Sequence, residues 1–443
     1  MGMVTNNTSD PGQMLSHTKN TRNATTGAHV AVILAFLLVT ASPTVSVAQV
    51  NDSTDSQISV YLVTVGPGEQ VWERFGHNAI WISDDASGVN RVYNYGQFSF
   101  EQEGFVSKFL QGRMEYWMQG FDTNPHLQGY VSFNRSVWIQ ELNLTSQQAI
   151  ELRDFLAWNE LPENRFYRYH YYHDNCSTRI RDAIDRVIDG AIKQRTESEF
   201  PGSTLRFHSL RLVSNDLLTY TGLLLGLGQP VDEPLSAWDE MFLPLKLREH
   251  LRNVVVLDDV GNERPLVASE RTIHESSEFF ESESPPSWTL PFLIVGVLLA
   301  VFAFILAHKA TETRVARIFF TGYSMLWYTV TGIAGLGLAS LWMFTDHDTS
   351  YRNENLFWFN PVAILMVILV PLLILRVPWA DRAGRLVVIF VAGVSLLGFV
   401  LQVLPGMDQV SGPLIALVMP SNLALGAGLL WYSSLDGGRT LGR

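Results

Sequence analysis

Two regimes of hydrophobic patterning divide the chain. As far as Pro286 apolar and polar residues alternate or recur at short spacing, and from Trp288 onward apolar residues collect into long runs. The first regime opens with Ile58-Ser59-Val60-Tyr61-Leu62-Val63-Thr64-Val65, a period-two strand that ends at Gly66-Pro67-Gly68. Residues 79–82 and 91–96, separated by the turn Asp84-Asp85-Ala86-Ser87-Gly88, predict a hairpin with His77 at the mouth of its first strand. Further on, Ile180, Ala183, Ile184, Val187 and Ile188 recur at helical spacing behind the N-cap residues Asp174 and Asn175, with Gly190 as a stop.

In the second regime five apolar runs, at 288–307, 318–344, 357–375, 386–404 and 413–431, each approach the roughly 20 residues that a bilayer core requires. Lys309, Arg314 and Arg317 lie in the first connection, Arg376, Arg382 and Arg385 in the third, and Arg439 and Arg443 at the end. The second and fourth connections carry Asp346, Asp348, Glu354 and Asp408 with Arg352 alone on the positive side. By the positive-inside rule the basic connections are cytoplasmic, so the segment ahead of the first span is exported. A short apolar stretch from Val30 to Val39, preceded by Lys19 and Arg22 and followed by Ser46-Val47-Ala48, reads as a signal peptide or N-terminal anchor over 1–48.

This division sets the domains: an extracytoplasmic unit at 49–273, an acidic, serine-rich, proline-closed linker at 274–287 read as solvated and without chemistry, and five transmembrane helices within 288–435. A net charge of −12 with no Lys/Arg-rich block on the soluble part excludes nucleic acid as a partner.

The 443 residues hold one cysteine. It cannot form an intrachain disulfide, and in an exported protein an odd cysteine is either paired with another chain or a reactive thiol. Cys176 falls in the first turn of the 176–188 helix, where unpaired N–H groups and the helix dipole favour a thiolate. A small buried hydrophobe is the alternative. Cysteine acyl chemistry needs a base and a third group to orient it. His77 is the expected base, and Asn94 the expected third member, with Tyr95 or Gln97 as alternates because one residue of register reverses a strand side chain. The oxyanion is expected at the N–H of Cys176 and a neighbour at the helix start. Tyr95, Asn175 and Arg179 are assigned to substrate binding, Arg179 alternatively to a structural ion pair. His170 and His173 read as the polar end of an aromatic ladder, and with Asp174 they fall short of the four ligands of a metal site. No metal or cofactor is expected. The stretch from Trp238 to Pro244 reads as packing, and the Asp346-His347-Asp348 loop as an outward loop lining the way in for substrate.

The chain resembles the Lnb-type family of lipoprotein N-acyl transacylases (the DUF4105 family). The resemblance rests on Arg74-Phe75-Gly76-His77-Asn78, on Tyr93-Asn94-Tyr95-Gly96 with Phe98 and Phe100, on Pro162-Glu163-Asn164-Arg165 leading to residues 174–182, and on 238–244. It covers about 58–247, and extends more loosely through Phe344-Thr345-Asp346-His347 and Asn360-Pro361. It implies an α+β papain-like fold of the permuted NlpC/P60 kind, with the Cys176 helix on an antiparallel sheet bearing His77, followed by the all-α membrane domain. It also implies attack by Cys176 on a lipid ester, storage of the acyl chain as a thioester, and transfer to a lipoprotein amine at the outer face of the inner membrane. The expected substrates are thus membrane phospholipid or lipoprotein. Two other readings stand beside it: a peptidoglycan-directed cysteine amidase or endopeptidase, and a non-enzymatic envelope sensor.

Overall fold

The computed structural model describes residues 58–435, so the proposed signal or anchor and the basic residues Arg439 and Arg443 lie outside the described residues. Its soluble part is built on an antiparallel sheet of seven strands in the order β6-β4-β3-β2-β1-β5-β9. The strands are β1 (Ile58–Val65), β2 (His77–Asp84), β3 (Val89–Gln97), β4 (Glu115–Asp122), β5 (Val137–Leu142), β6 (Phe166–Arg168) and β9 (Val267–His274), while β7 (Val255–Leu257) and β8 (Glu263–Pro265) form a separate ribbon. Around them lie α1 (Phe105–Gln111), α2 (Thr123–Ser132), α3 (Ser146–Glu160), α4 (Cys176–Val187), α5 (Ala191–Thr196), α6 (Leu205–Leu212), α7 (Leu217–Gly226), α8 (Ala237–Glu240) and α9 (Pro244–Leu251).

The alternation in β1 has a partner on each side. Val60 and Leu62, with Ile80 and Ile82 of β2, lie under Leu152 of α3, Ile180 and Ile184 of α4 and Leu247 of α9. Val63 and Val65, with Ala79, lie under Leu127 of α2. Each fully buried aliphatic chain of this kind contributes about 1.5–3 kcal/mol, so α4 is held by its apolar stripe as much as by its cap. Gly190 does not stop α4, which ends at Val187; it stands at φ 79° as the residue from which α5 starts.

Among the described residues five helices are long and apolar enough to cross a membrane: α10 (Thr289–Ala310), α11 (Arg314–Phe344), a third span Glu354–Ile374 that ends in α12 (Met366–Ile374), α13 (Pro378–Leu401) and α14 (Gly412–Ser434). Several outrun their apolar runs because polar turns continue them. In α13, Pro378 sits at the helix start and Asp381 pairs with Arg385 one turn on. The α10 and α14 backbones approach closely at Gly296, where a Cβ would stand 2.3 Å from the Ala416 carbonyl oxygen.

The soluble part is fastened to this bundle. Leu210 and Val213 of α6 and its outgoing turn, and Tyr220 and Leu224 of α7, share one buried cluster with Leu338, Trp358, Leu414 and Val418 of the spans. Polar bonds frame it: Asn355 Nδ2 donates to the Leu224 and Leu225 carbonyls at 3.0 Å each, Asn353 Nδ2 to Leu225 and Gly226, and the Gly228 N–H to Thr349 O at 2.8 Å. The acidic stretch expected to be a solvated linker is also pinned. Arg211 Nη1 donates to Glu281 Oε2 at 2.7 Å and to Ser282 O at 2.9 Å, and the Ser276 N–H to Ser136 Oγ at 2.8 Å. One carboxylate that looked like solvated charge, Glu281, finds the buried Arg211 guanidinium, which sequence spacing does not show.

Candidate active site

Cys176 is the first residue of α4, and the turn that carries it is held from below. Asn175 caps the helix, its Oδ1 accepting from the Ser177 and Thr178 N–H groups at 2.8 and 3.0 Å, while its Nδ2 donates to Tyr171 O and Phe242 O. Ser177 Oγ lies 2.9 Å from Asn78 Oδ1 and 2.7 Å from Met241 O. The stretch from Trp238 to Pro244 therefore props the Cys176 turn through two of its carbonyls. Asn78 ties the same turn to β2, and its own N–H is directed at the Cys176 sulfur. His77 precedes it at the start of β2, so the strand whose Asn78 meets the Cys176 turn also carries the imidazole, at one corner of the sheet.

That corner is opened by a bulge. β3 loses register with β4 between Asn94 and Gln97, and within this interval Gly96 takes φ 90°. A Cβ on Gly96 would stand 3.6 Å from Cys176 Cβ, an ordinary contact, so it is the backbone conformation that calls for glycine here while the cysteine packs against the bulge. At the mouth of β2, Gly76 plays a second part. Its φ is 77°, and a Cβ there would meet the Val65 carbonyl oxygen at 2.8 Å.

His77 Nε2 lies 2.9 Å from Asn94 Oδ1, and His126 Nε2, from α2, lies 3.2 Å from the same oxygen. A carbonyl oxygen only accepts, so both imidazoles carry their proton on Nε2 and keep Nδ1 as an acceptor. Asn94 is fully buried and its Nδ2 donates to Val92 O at 3.3 Å, which fixes the orientation of the amide. Nearby, buried Arg135 donates to Gly66 O from Nε and Nη2 at 3.1 and 2.9 Å, pairs with Glu73 at 3.3 Å, and lies against the Tyr130 ring. His126, Tyr130 and Arg135 did not emerge from the sequence. They lie on or just after a helix of low amphipathicity, and only the fold brings them to the β2 mouth.

Electrostatics corrects the thiolate expectation. Burial pushes the Cys176 thiol above its ordinary value, and the N–H groups of Asn78, Ser177 and Cys176 and the charge of Arg135 pull the other way without overcoming it. Burial likewise lowers His77 from 6.5 to about 4, opposed by its bond to Asn94 and reinforced by Arg135 and His126. Near neutral pH the resting pair is thus a thiol and a neutral imidazole. A helix start favours an anion only while the site stays wet enough, and here desolvation wins. The expected set of oxyanion donors also widens. The Ser177 N–H is shared with its cap, and the Asn78 N–H of β2 joins those of Cys176 and Ser177 around the sulfur.

The three residues assigned to substrate binding are committed to the framework. Tyr95 is buried with its hydroxyl donated to Asn159 at 2.6 Å, and Asn175 spends its side chain on the cap. Arg179 grips Asp174 through Nε and Nη2 at 2.5 and 2.8 Å and lies 3.8 Å from the Tyr167 ring centre. His170 holds the Asp348 carboxylate at 2.9 Å and accepts the Tyr172 and His173 N–H groups on Nδ1. The loop at 346–348 docks on the soluble part: Asp346 meets Arg113 at 2.8 Å and Arg168 at 2.9 Å, and His347 Nε2 lies 3.0 Å from Phe109 O. Asp348 also borders a cavity of about 510 Å³ shared with His173, Asp239, Trp342 and Arg352.

Two family models match the chain. Residues 48–215 match the Lnb N-terminal periplasmic domain, and residues 283–419 match the Lnb transmembrane domain. Neither a curated protein nor a solved structure matches. The two matched regions follow the order of the soluble and spanning parts seen here, so the chain is a multi-pass membrane protein whose N-terminal domain is periplasmic.

Proposed function

We propose, from the premise that this chain belongs to the Lnb-type family in both its periplasmic and its transmembrane domain, that it is a thiol acyltransferase of the inner membrane. Its acceptor is a lipoprotein or lipid amine at the outer face. The observation that carries this reading is the position of His77. The residue two before it, Phe75, packs among the cluster that joins the soluble part to the spans, and the residue after it aims its N–H at the Cys176 sulfur. A thiol corner anchored to the membrane junction gains effective concentration toward a bilayer-embedded ester, which an enzyme cutting soluble wall peptide has no use for.

The steps follow from the resting state. Cys176 Sγ attacks the ester carbonyl carbon as its proton passes to His77 Nδ1, and the N–H groups of Cys176 and Asn78 receive the carbonyl oxygen as it becomes negative. Collapse breaks the C–O bond, and the imidazolium returns the proton to the leaving alcohol. The acyl chain now rests as a thioester. An acceptor amine attacks that carbonyl, its proton passes through His77 to the departing thiolate, and an amide is formed with the thiol restored. Asn94 keeps Nδ1 turned to this work by holding Nε2–H.

Incubation of the purified full chain with phospholipid and lipoprotein, followed by mass spectrometry, tests the proposal. The expected result is an acyl adduct on Cys176 and an N-acylated acceptor, both lost in Cys176→Ser. Absence of adduct and of altered acceptor, or survival of the acceptor change in Cys176→Ser, overturns it. Digestion of purified wall peptide by the same preparation would establish the amidase reading instead.

A further inference from the structure

We propose that an aromatic strip running from α1 to Cys176 is the slide by which the acyl chain of an outer-leaflet lipid reaches the thiol; this rests on the reading of Cys176 as nucleophile. The strip begins where the membrane ends. Span α11 closes at Phe344, and two residues later the Asp346 N–H donates to Gln111 O at 2.8 Å, at the last residue of α1. Arg113 and His347 fasten the same junction. Helix α1 is thereby held at the level of the span's outer end, where Met343 and Phe344 are themselves 70% and 74% exposed.

Among the described residues nothing covers the face of α1 that Val106 and Leu110 present. The helix buries none of its residues, and Val106, Phe109 and Leu110 are 69%, 44% and 61% exposed. An apolar face at the level of a bilayer surface is covered by lipid chains, because no other apolar medium is continuous with it. Inward from that face the rings follow in steps. Phe109 stacks on Phe105, Phe105 on Phe98, Phe98 on Tyr116 at 5.1 Å, and Tyr116 on Tyr169 at 4.2 Å. Tyr169 stands 4.0 Å from where a Gly96 Cβ would be, the place from which Cys176 Cβ is 3.6 Å away. Trp72, on the segment that leads to His77, meets Phe100 at 6.2 Å and flanks the strip from the other side. A ring ladder that served packing alone would end under cover; this one ends uncovered at the lipid and arrives at the one thiol of the chain.

That single cysteine makes the test selective, since a maleimide labels Cys176 alone. The full chain is placed in phosphatidylglycerol and phosphatidylethanolamine vesicles, and its alkylation is followed with membrane-partitioned N-hexadecylmaleimide and with water-soluble N-ethylmaleimide. The triple variant Val106→Asp, Phe109→Asp, Leu110→Asp is expected to slow the long-chain reagent by about tenfold, as charges set in the path of a chain that otherwise keeps a few methylenes buried would do. The short reagent, which reports that the thiol corner is intact, is expected to keep its rate. Val106→Leu, Phe109→Leu, which keeps the face apolar, is expected to keep both rates. Equal slowing of both reagents by the aspartates, no slowing of either, or loss of the long-chain rate in the leucine variant overturns the slide. A wild type that takes the long-chain reagent selectively but never carries an acyl thioester sinks the acyltransferase reading and leaves the slide standing.

Discussion

Replacing Asn94 by Asp tests the electrostatic account of the corner most directly. In the wild type burial holds His77 at about 4 against its ordinary 6.5. The base must be neutral to take the thiol proton, so the rate of Cys176 acylation should rise with a midpoint near 4 and be level through neutrality. At pH 5 roughly nine-tenths of the imidazole would be neutral, against about 3% were its value the ordinary one, a difference of about thirtyfold in rate. Asn94→Asp keeps an acceptor 2.9 Å from His77 Nε2 but makes it an anion. An opposite charge at that range raises the imidazole by about 1–3 units, which carries the acid limb to roughly pH 5–7. Stability moves with the same group. The unfolded chain binds the proton at about 6.5 and the folded one only near 4, so the wild type should lose roughly 3 kcal/mol as pH falls through that window. The assay is single-turnover acylation read by mass spectrometry from pH 3.5 to 9. A wild-type midpoint near 6.5, or a midpoint that stays put in Asn94→Asp, refutes the reasoning.

Three further outcomes follow from the packing. Gly76→Ala should cut acylation strongly and cost about 1–3 kcal/mol, because its φ of 77° and the 2.8 Å approach to Val65 O leave a methyl group no place without moving His77; thermal unfolding and acylation rate together check it. Glu240→Ala should cost about 3–5 kcal/mol in denaturant unfolding, since the buried carboxylate is bonded to His208 at 2.9 Å, His250 at 3.0 Å and Ser203 at 2.8 Å and its loss orphans all three. Asn355→Ala should loosen the junction by about 0.5–1.5 kcal/mol, because it removes one donor from each of the Leu224 and Leu225 carbonyls while Arg206 and Asn353 remain on them, whereas Asp346→Ala, whose partners are exposed arginines, should leave protease resistance of the soluble part unchanged.

Much of the framework was legible because its signals are local. The limits of β1 follow from period-two alternation closed by Gly-Pro-Gly, α4 from its cap and apolar stripe, and the spans from run length. What stayed hidden depends on distance through space. His126 and Arg135 reach the β2 mouth only because β4 and β5 lie on opposite sides of the β3-β2-β1 core of the sheet, with α2 crossing between them. The bulge at Gly96 was written in the sequence as a glycine within a strand, a signal that marks a close approach without saying of what. For Arg179 the sequence left a structural ion pair open beside an anion site, with Asp182 and Asp185 as the carboxylates in view; the structure pairs it instead with Asp174, five residues before it. The thiolate expectation failed for a related reason: the helix-start signal is local, while desolvation is set by everything packed above it.

The stitching of the 345–355 loop to both α1 and α7 has a consequence for the membrane itself. A catalytic head on a slack tether ignores the thickness of the bilayer below it, whereas one riveted at two points rides on the spans. When hydrocarbon thickness changes, the helices answer by tilting, and the rivets pass that tilt upward as a change in the height and pitch of the thiol. For the acyl transfer proposed above, lipid chain length and temperature are therefore expected to act on the rate mechanically, through that tilt.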